Sequence, residues 1–186
     1  GVHDEEHYTT ASDFAVITRE AMDHELFLEI SGTSSYTVQA TELSPERRIS
    51  NTNGLINPEC VPYPGYFYEY ARAGKTGHTD GAGYCLASLA ERDGVNLICV
   101  VLGGVTYDDG GDTRHSSFTD SRALYGWAFE NFSRQEVLGT TETVTSVAVD
   151  LAEDGQAMLR AESSISALLP NKGFDSSALE RSVTIY

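Results

Sequence analysis

The sequence lacks a basic surface and a long apolar run. Lys and Arg number 12 against 28 Asp and Glu, so the formal net charge is −16, and the basic residues form no stripe. Nucleic-acid binding depends on clustered positive charge, which argues against duplex DNA or RNA as a partner. No stretch approaches the roughly 18 to 20 consecutive apolar residues that a membrane-spanning helix requires. We therefore expect a soluble chain that does not bind nucleic acid.

Cysteines are few and show no pattern. Cys60, Cys85 and Cys99 have no metal-binding spacing such as C-x-x-C, and an odd number cannot pair completely within one chain. We interpret them as buried apolar thiols and predict no metal site. The 186 residues, 40% of them hydrophobic, are enough for one domain or two small ones.

Apolar periodicity predicts two helices. Thr10 and Asp13 have the spacing of a capping box, and the apolar residues that follow predict a helix over residues 11–23. The apolar residues between Phe118 and Phe132 predict a second helix over residues 117–132.

The clearest strand pattern is a hairpin. Residues 83–90 and 95–102 are apolar and rich in β-formers, and Asp93-Gly94 between them is a strong hairpin signal. A short half-buried strand is predicted over residues 35–40, whereas residues 47–65 contain three prolines and indicate an irregular connection.

The pattern changes after residue 135. Short alternating runs over residues 144–151, 157–169 and 183–186 are separated by turn residues and predict strands. We therefore predict an α+β domain over residues 1–135, followed by the start of a separate small β domain over residues 136–186.

One short motif suggests chemistry. Lys75-Thr76-Gly77 precedes the first hairpin strand, where its side chains would line a sheet edge and the glycine would let a ligand approach the backbone. An ammonium group, a hydroxyl group and free backbone amides at one edge suit binding of a carboxylate and stabilisation of an oxyanion. Serine acyl-transfer enzymes use such a K-T-G triplet with S-x-x-K and S-x-N motifs.

The residues around this triplet resemble the serine-type D-Ala-D-Ala carboxypeptidases, which are low-molecular-mass penicillin-binding proteins. The run from Lys75 to Tyr84 and the hairpin that ends in Leu102-Gly103-Gly104 are similar to the family's third motif and following strands. Asn51-Thr52-Asn53 resembles its N-x-N segment, and Arg114 resembles an arginine ahead of its final helix. The resemblance implies a partial penicillin-binding-protein or β-lactamase-like catalytic domain, followed by a truncated all-β domain.

The resemblance also implies roles for individual residues. Lys75 would tune the electrostatics near the nucleophile, and the backbone N–H of His78 would be one oxyanion donor. The terminal D-Ala carboxylate and adjacent substrate groups would be bound by Thr76, Gly77, Thr79 and Arg114. Neither a metal nor an organic cofactor is implied, and peptidoglycan D-Ala-D-Ala peptides and β-lactams are the implied ligands.

The chain departs from the family in one respect. No serine is followed three residues later by lysine, and no S-x-N motif is present, so the sequence contains no nucleophile for an acyl-enzyme. We expect an inactive portion of a longer extracytoplasmic enzyme. The alternatives are a non-catalytic wall-binding or regulatory module of the same fold and, less favoured, a β-lactamase. Without the remaining sheet elements of that fold, the chain should expose apolar surface and self-associate.

Overall fold

The structure, a computed structural model, describes residue 4 and residues 6–150, 153–175, 180 and 182–184. The chain divides into two compact units, residues 1–128 and residues 129–186. The helices of the described part are α1 (Ala11–Met22), α2 (Glu25–Gly32) and α3 (Ser116–Asn131). No helix among these described residues is long and apolar enough to cross a membrane.

The strands of the first unit form one larger sheet and two small hairpins. They are β1 (Ser35–Val38), β2 (Arg47–Ser50), β3 (Ala71–Thr79), β4 (Gly83–Arg92), β5 (Val95–Gly104), β6 (Thr106–Asp109) and β7 (Asp112–His115). The order in the larger sheet is β3-β4-β5, all antiparallel, and β1 pairs with β2 and β6 with β7.

Both predicted helices are confirmed to within one residue at each end. α1 begins at the predicted cap, because the Thr10 hydroxyl oxygen accepts a hydrogen bond from the Asp13 N–H at 3.0 Å. α2 was not predicted. It follows α1 after two residues and covers the same face of the larger sheet.

The predicted hairpin is confirmed as β4 and β5, each two residues longer than expected. Asp93 and Gly94 both adopt positive φ, 52° and 74°, as a two-residue turn of this kind requires. Successive side chains of these strands point to opposite faces of the sheet, and helices pack against both faces. Ala73 and Leu89 pack with Met22 of α1 on one face.

The other face of the sheet packs against α3. The Tyr125 hydroxyl donates to the carbonyl oxygen of Ser88 at 2.7 Å and lies 2.9 Å from the Ser88 hydroxyl. The Cys99 thiol lies 3.6 Å from the Ser121 hydroxyl. The first unit is therefore a sheet between two helical layers, which confirms the predicted α+β class with an antiparallel sheet.

Two strand predictions need correction. The strand predicted over residues 35–40 ends at Val38, and Tyr36 is 64% exposed rather than half-buried. The connection predicted over residues 47–65 is wrong at its start, because Arg47–Ser50 forms β2 and pairs with β1. Backbone pairing with β1 favours this strand even though all four side chains are exposed.

The second unit contains two antiparallel pairs. Its strands are β8 (Phe132–Leu138), β9 (Thr143–Ala148), β10 (Gln156–Arg160) and β11 (Ile165–Pro170), with β8 paired to β11 and β9 to β10. β8 was not predicted, and the predicted boundary after residue 135 falls inside it, whereas the units divide after Ala128.

The β runs predicted for this unit are corrected in the same way. The single run over residues 157–169 is two strands separated by residues 161–164. In the run over residues 144–151, β9 ends at Ala148 and Leu151 lies outside the described residues. The run over 183–186 has no strand at Val183 or Thr184, and its last two residues also lie outside the described part.

Candidate active site

The K-T-G triplet lies in the middle of β3, an edge strand of the larger sheet. Lys75, Thr76 and Gly77 pair with Ala87, Leu86 and Cys85 of β4. Among the described strands, β3 has no neighbour on its other side. The sequence prediction that these side chains line a sheet edge agrees with this placement, although the strand itself was not predicted.

The alternation of β3 divides the predicted site residues between its faces. Lys75, Gly77 and Thr79 lie on the face that α1 covers, because Ala73 on that face packs against Met22. Thr76 and His78 lie on the opposite face. The predicted site residues of β3 thus share the open edge of the strand but not one face.

Backbone groups at this edge are oriented by the turn that follows. The carbonyl oxygen of Thr79 accepts from the Ala82 N–H at 3.2 Å, on the side of β3 that leads into β4. Successive residues of a strand turn their backbone polar groups to opposite sides, so the N–H groups of Thr76 and His78 point to the open edge. Two amide donors, two residues apart, thus face outward beside the K-T-G side chains.

The Lys75 side chain is exposed and lies along the same edge. Its ammonium group donates a hydrogen bond to the carbonyl oxygen of Thr76. This contact places a positive charge next to the outward-facing amides. A negatively charged ligand at the open edge would therefore meet both an ammonium group and backbone donors.

The Thr76 hydroxyl has a partner that sequence reasoning missed. Thr52, which is 24 residues earlier in the chain, places its Oγ1 atom 2.8 Å from Thr76 Oγ1. Thr52 is exposed, whereas Asn53 beside it is fully buried. The N-x-N segment therefore presents one hydroxyl directly to the K-T-G motif.

Gly74 permits the close approach of this segment to β3. A Cβ atom at Gly74 would lie 2.7 Å from Asn53 Nδ2 and 2.8 Å from the Ala87 carbonyl oxygen. Asn53 Oδ1 accepts from the Leu55 N–H at 3.0 Å, while Asn53 Nδ2 has no hydrogen-bond partner among the described residues. A glycine is thus required immediately before Lys75 for steric reasons.

Arg114 lies in β7, at the start of the segment that leads into α3. It forms ion pairs within its own hairpin, 3.7 Å from Asp109 and 3.4 Å from Asp112. No hydrogen bond or ion pair joins it to the K-T-G residues in the described structure. A substrate carboxylate would therefore have to compete with two acidic side chains for this guanidinium group.

An aromatic cluster connects the Arg114 hairpin to the end of β3. His78 stacks on Tyr84 with ring centroids 4.1 Å apart, and Tyr84 meets His115 edge-on at 4.6 Å. Tyr63 contacts His115 at 4.8 Å and also contacts Phe118 of α3. His115 Nδ1 is buried without a hydrogen-bond partner among the described residues. Burial, and to a smaller extent the nearby His78, lower the pKa of His115 below its ordinary value.

Two cavities border β3 and share Lys75 and Thr76. The first, of about 660 Å³, has apolar side chains from α2, β1 and β2, including Ile30 and Ile49, in its lining. The second, of about 480 Å³, is lined by residues before and within α1 together with K-T-G residues and Cys85. The triplet therefore has concave surface on either side of it.

The cysteines agree only in part with the sequence interpretation. All three are free thiols, and Cys60 and Cys99 are buried, but Cys85 is half-buried. Burial raises the pKa of the Cys60 and Cys99 thiols. Within the described residues, no group of three or more His, Cys, Asp or Glu side chains is arranged to hold a metal ion.

Comparison with known sequences gives one family. The sequence profile of the D-alanyl-D-alanine carboxypeptidases, peptidase family S11, matches residues 1–106. D-alanyl-D-alanine carboxypeptidase DacF of Bacillus subtilis is 27% identical over 184 residues, which are 98% of this chain and 42% of that protein.

Solved structures show the same fold. Penicillin-binding protein 5 of Haemophilus influenzae matches with a TM-score of 0.60 and 24% identity, over 92% of this chain and 44% of that one. A peptidoglycan synthesis regulatory factor (PBP3) of Streptococcus pneumoniae matches with a TM-score of 0.64 and 20% identity, over 91% and 44%. The chain thus spans less than half the length of these similar proteins.

Proposed function

The chain belongs to the D-alanyl-D-alanine carboxypeptidase family, and on that premise we propose that the intact protein hydrolyses the terminal D-alanyl-D-alanine bond of peptidoglycan stem peptides. The reaction would pass through a serine acyl-enzyme, and this chain would contribute the carboxylate-binding and part of the oxyanion-stabilising machinery. The observation that carries the proposal is the K-T-G triplet on an open strand edge with outward-facing amides.

Each residue of the edge has a role in this proposal. The Lys75 ammonium group raises the positive potential near the nucleophile, and the His78 N–H donates to the oxyanion that forms on the scissile carbonyl. The hydroxyl of Thr76 donates to the substrate's terminal carboxylate, and Gly77 leaves room for the peptide against the strand. Thr79 lines the same edge, and Arg114 supplies a further charge for the carboxylate.

The nucleophile must come from elsewhere in the protein. No S-x-x-K or S-x-N motif occurs in these 186 residues. The similar proteins are more than twice as long as the part that this chain matches. We therefore propose that the serine and its base lie outside the 186 residues, and that this chain alone forms no acyl-enzyme.

The proposal also covers location, ligands and domain organisation. Because peptidoglycan lies outside the cytoplasmic membrane, the intact protein would act there and would be acylated by β-lactams. The chemistry requires neither a metal nor an organic cofactor. We interpret the second unit as the start of the β domain that follows the catalytic domain in this family, which accords with the match to DacF over 98% of the chain.

The isolated chain would also self-associate. Val16 and Ile17 of α1 and Leu26 and Ile30 of α2 are exposed apolar side chains, and β3 presents an unpaired edge within the described part. Such surface favours association with another copy in the absence of the rest of the protein. Solution scattering across a concentration series should show oligomers. A monomer at every concentration would refute this part of the proposal.

Release of D-alanine tests the function directly. The intact protein should release D-alanine from a peptide that ends in D-Ala-D-Ala. Arg114→Ala should lower kcat/KM about tenfold or more, because a hydrogen bond to a charged group is worth about 1.5–3 kcal/mol. Arg160→Ala, which removes an exposed arginine of the second unit, is the matched control. No release by the intact protein would refute the proposal and favour a non-catalytic module.

A further inference from the structure

Thr52 is held in place by hydrogen bonds on both sides of it. Asn51 Nδ2 donates to the carbonyl oxygens of Ser31 and Thr33 at 3.0 Å each, and Asn51 Oδ1 accepts from the Asn53 N–H at 2.9 Å. Asn57 Nδ2 donates to the Asn51 carbonyl oxygen at 3.0 Å. An exposed side chain on a backbone fixed at this many points is presented in one position.

The backbone of Thr52 itself is also contacted from the buried side. The Cys60 thiol, which is 2% exposed, lies 3.6 Å from the Thr52 carbonyl oxygen. The Thr52 hydroxyl points the other way, to Thr76. Thr52 lies outside the described strands, so its 2.8 Å distance from Thr76 of β3 depends on how the N-x-N segment folds against that strand.

Two hydroxyl groups at this distance share one hydrogen bond. One hydroxyl donates to the other, and the second hydrogen remains free to donate outward. A carboxylate accepts only, so a carboxylate at Thr76 requires Thr76 to donate to it. Thr52 must then be the donor within the pair, and its hydrogen bond polarises the Thr76 hydroxyl and strengthens the outward bond.

We propose that Thr52 is a positioning residue for recognition of the substrate carboxylate: its hydroxyl donates to Thr76 Oγ1 and directs the Thr76 hydrogen toward the carboxylate. The inference rests on the proposed function, because it needs a substrate with a free terminal carboxylate at the K-T-G edge. It adds a residue to the site on the basis of the contact between Thr52 and Thr76.

The test compares Thr52→Val with Thr52→Ser in the intact protein. Thr52→Val should lower kcat/KM for a peptide ending in D-Ala-D-Ala about threefold to tenfold, chiefly through KM, since one hydrogen bond is worth about 0.5–1.5 kcal/mol. Thr52→Ser keeps the donor and should retain activity. Thr37→Val, an exposed threonine of β1, is the matched control.

Two further measurements separate positioning from a structural role. The effect of Thr52→Val should disappear in a Thr76→Val background, because the hydroxyl would have nothing to position. It should also be absent for the same peptide with a terminal carboxamide. An equal loss on acid and amide substrates, or no loss on either, would overturn the inference. An intact wild-type protein that is neither acylated by penicillin nor able to release D-alanine would instead overturn the proposed function, and this inference with it.

Discussion

Replacing Gly74 with alanine should destabilise the first unit, although the same replacement at Gly77 should not. The two glycines lie three residues apart in β3. A Cβ atom at Gly74 would lie 2.7 Å from Asn53 Nδ2 and 2.8 Å from the Ala87 carbonyl oxygen, whereas the nearest atom to one at Gly77 is Cys85 Cβ at 3.9 Å. The first position has no room for a methyl group, and the second has ordinary contact distance.

The expected size of the difference follows from these distances. Overpacking a filled site costs about 1–3 kcal/mol. Alanine also reduces the entropy of the unfolded chain, which is worth about 0.4–1 kcal/mol in its favour. Gly74→Ala should therefore be less stable than Gly77→Ala by the overpacking cost of about 1–3 kcal/mol, and less stable than the wild type by up to about 2.6 kcal/mol. Gly77→Ala should keep or slightly raise the free energy of unfolding.

Denaturant unfolding of the 186-residue chain measures both variants against the wild type. The midpoint should fall for Gly74→Ala and should not fall for Gly77→Ala. If Gly74→Ala unfolded at the same denaturant concentration as Gly77→Ala, the close approach of the N-x-N segment to β3 would be wrong. The placement of Thr52 against Thr76 would then lose its structural basis.

Two further predictions concern the packing around the site. Tyr125→Phe should lower the free energy of unfolding by about 1–3 kcal/mol, because it removes two hydrogen bonds to the fully buried Ser88. Adding Ser88→Ala to this variant should lower the free energy of unfolding little further. A Tyr125→Phe variant as stable as the wild type would contradict the packing described. Burial lowers the pKa of His115 in the folded state, so the unfolded state binds a proton at His115 more readily. The stability that neutral His115 contributes is therefore present above the ordinary pKa of 6.5 and is lost as the pH falls below 6.5. His115→Gln should show a shallower loss of stability than wild type between about pH 7 and 5, and parallel pH profiles would refute the assignment.

The sequence alone predicted an element correctly where a local pattern and the tertiary structure favour the same element. The β4–β5 hairpin combines apolar strands with an Asp93-Gly94 turn, and these two residue types adopt the positive φ values of such a turn readily. α1 has its cap at Thr10, and α3 has apolar residues at helical spacing. Each of these signals lies within a few residues of the element that it predicts.

The strand that holds the K-T-G motif had no such signal. β3 contains two glycines, an arginine, a lysine and a histidine, and it is an edge strand in which most side chains lie outside the core. Only its pairing with β4 makes it a strand, and pairing between strands is a tertiary property. β2 and β8 were missed for the same reason.

The site was predictable as a motif and not as a geometry. The triplet is visible in the sequence, yet the contact between Thr52 and Thr76 depends on a loop that folds back over 24 residues and on asparagine side chains that fix it. Likewise, His115 and Tyr84 are 31 residues apart, and their rings meet only in the folded structure. Such contacts follow from the fold and leave no pattern in a single sequence.

Labelling with a fluorescent penicillin, followed by intact mass measurement, is the most direct test of a serine acyl-enzyme to which this chain contributes the K-T-G edge. The intact protein should gain the mass of one penicillin, and the 186-residue chain should gain none. Labelling of neither would contradict the enzyme and indicate a non-catalytic module, while labelling of the 186-residue chain would contradict a nucleophile outside it.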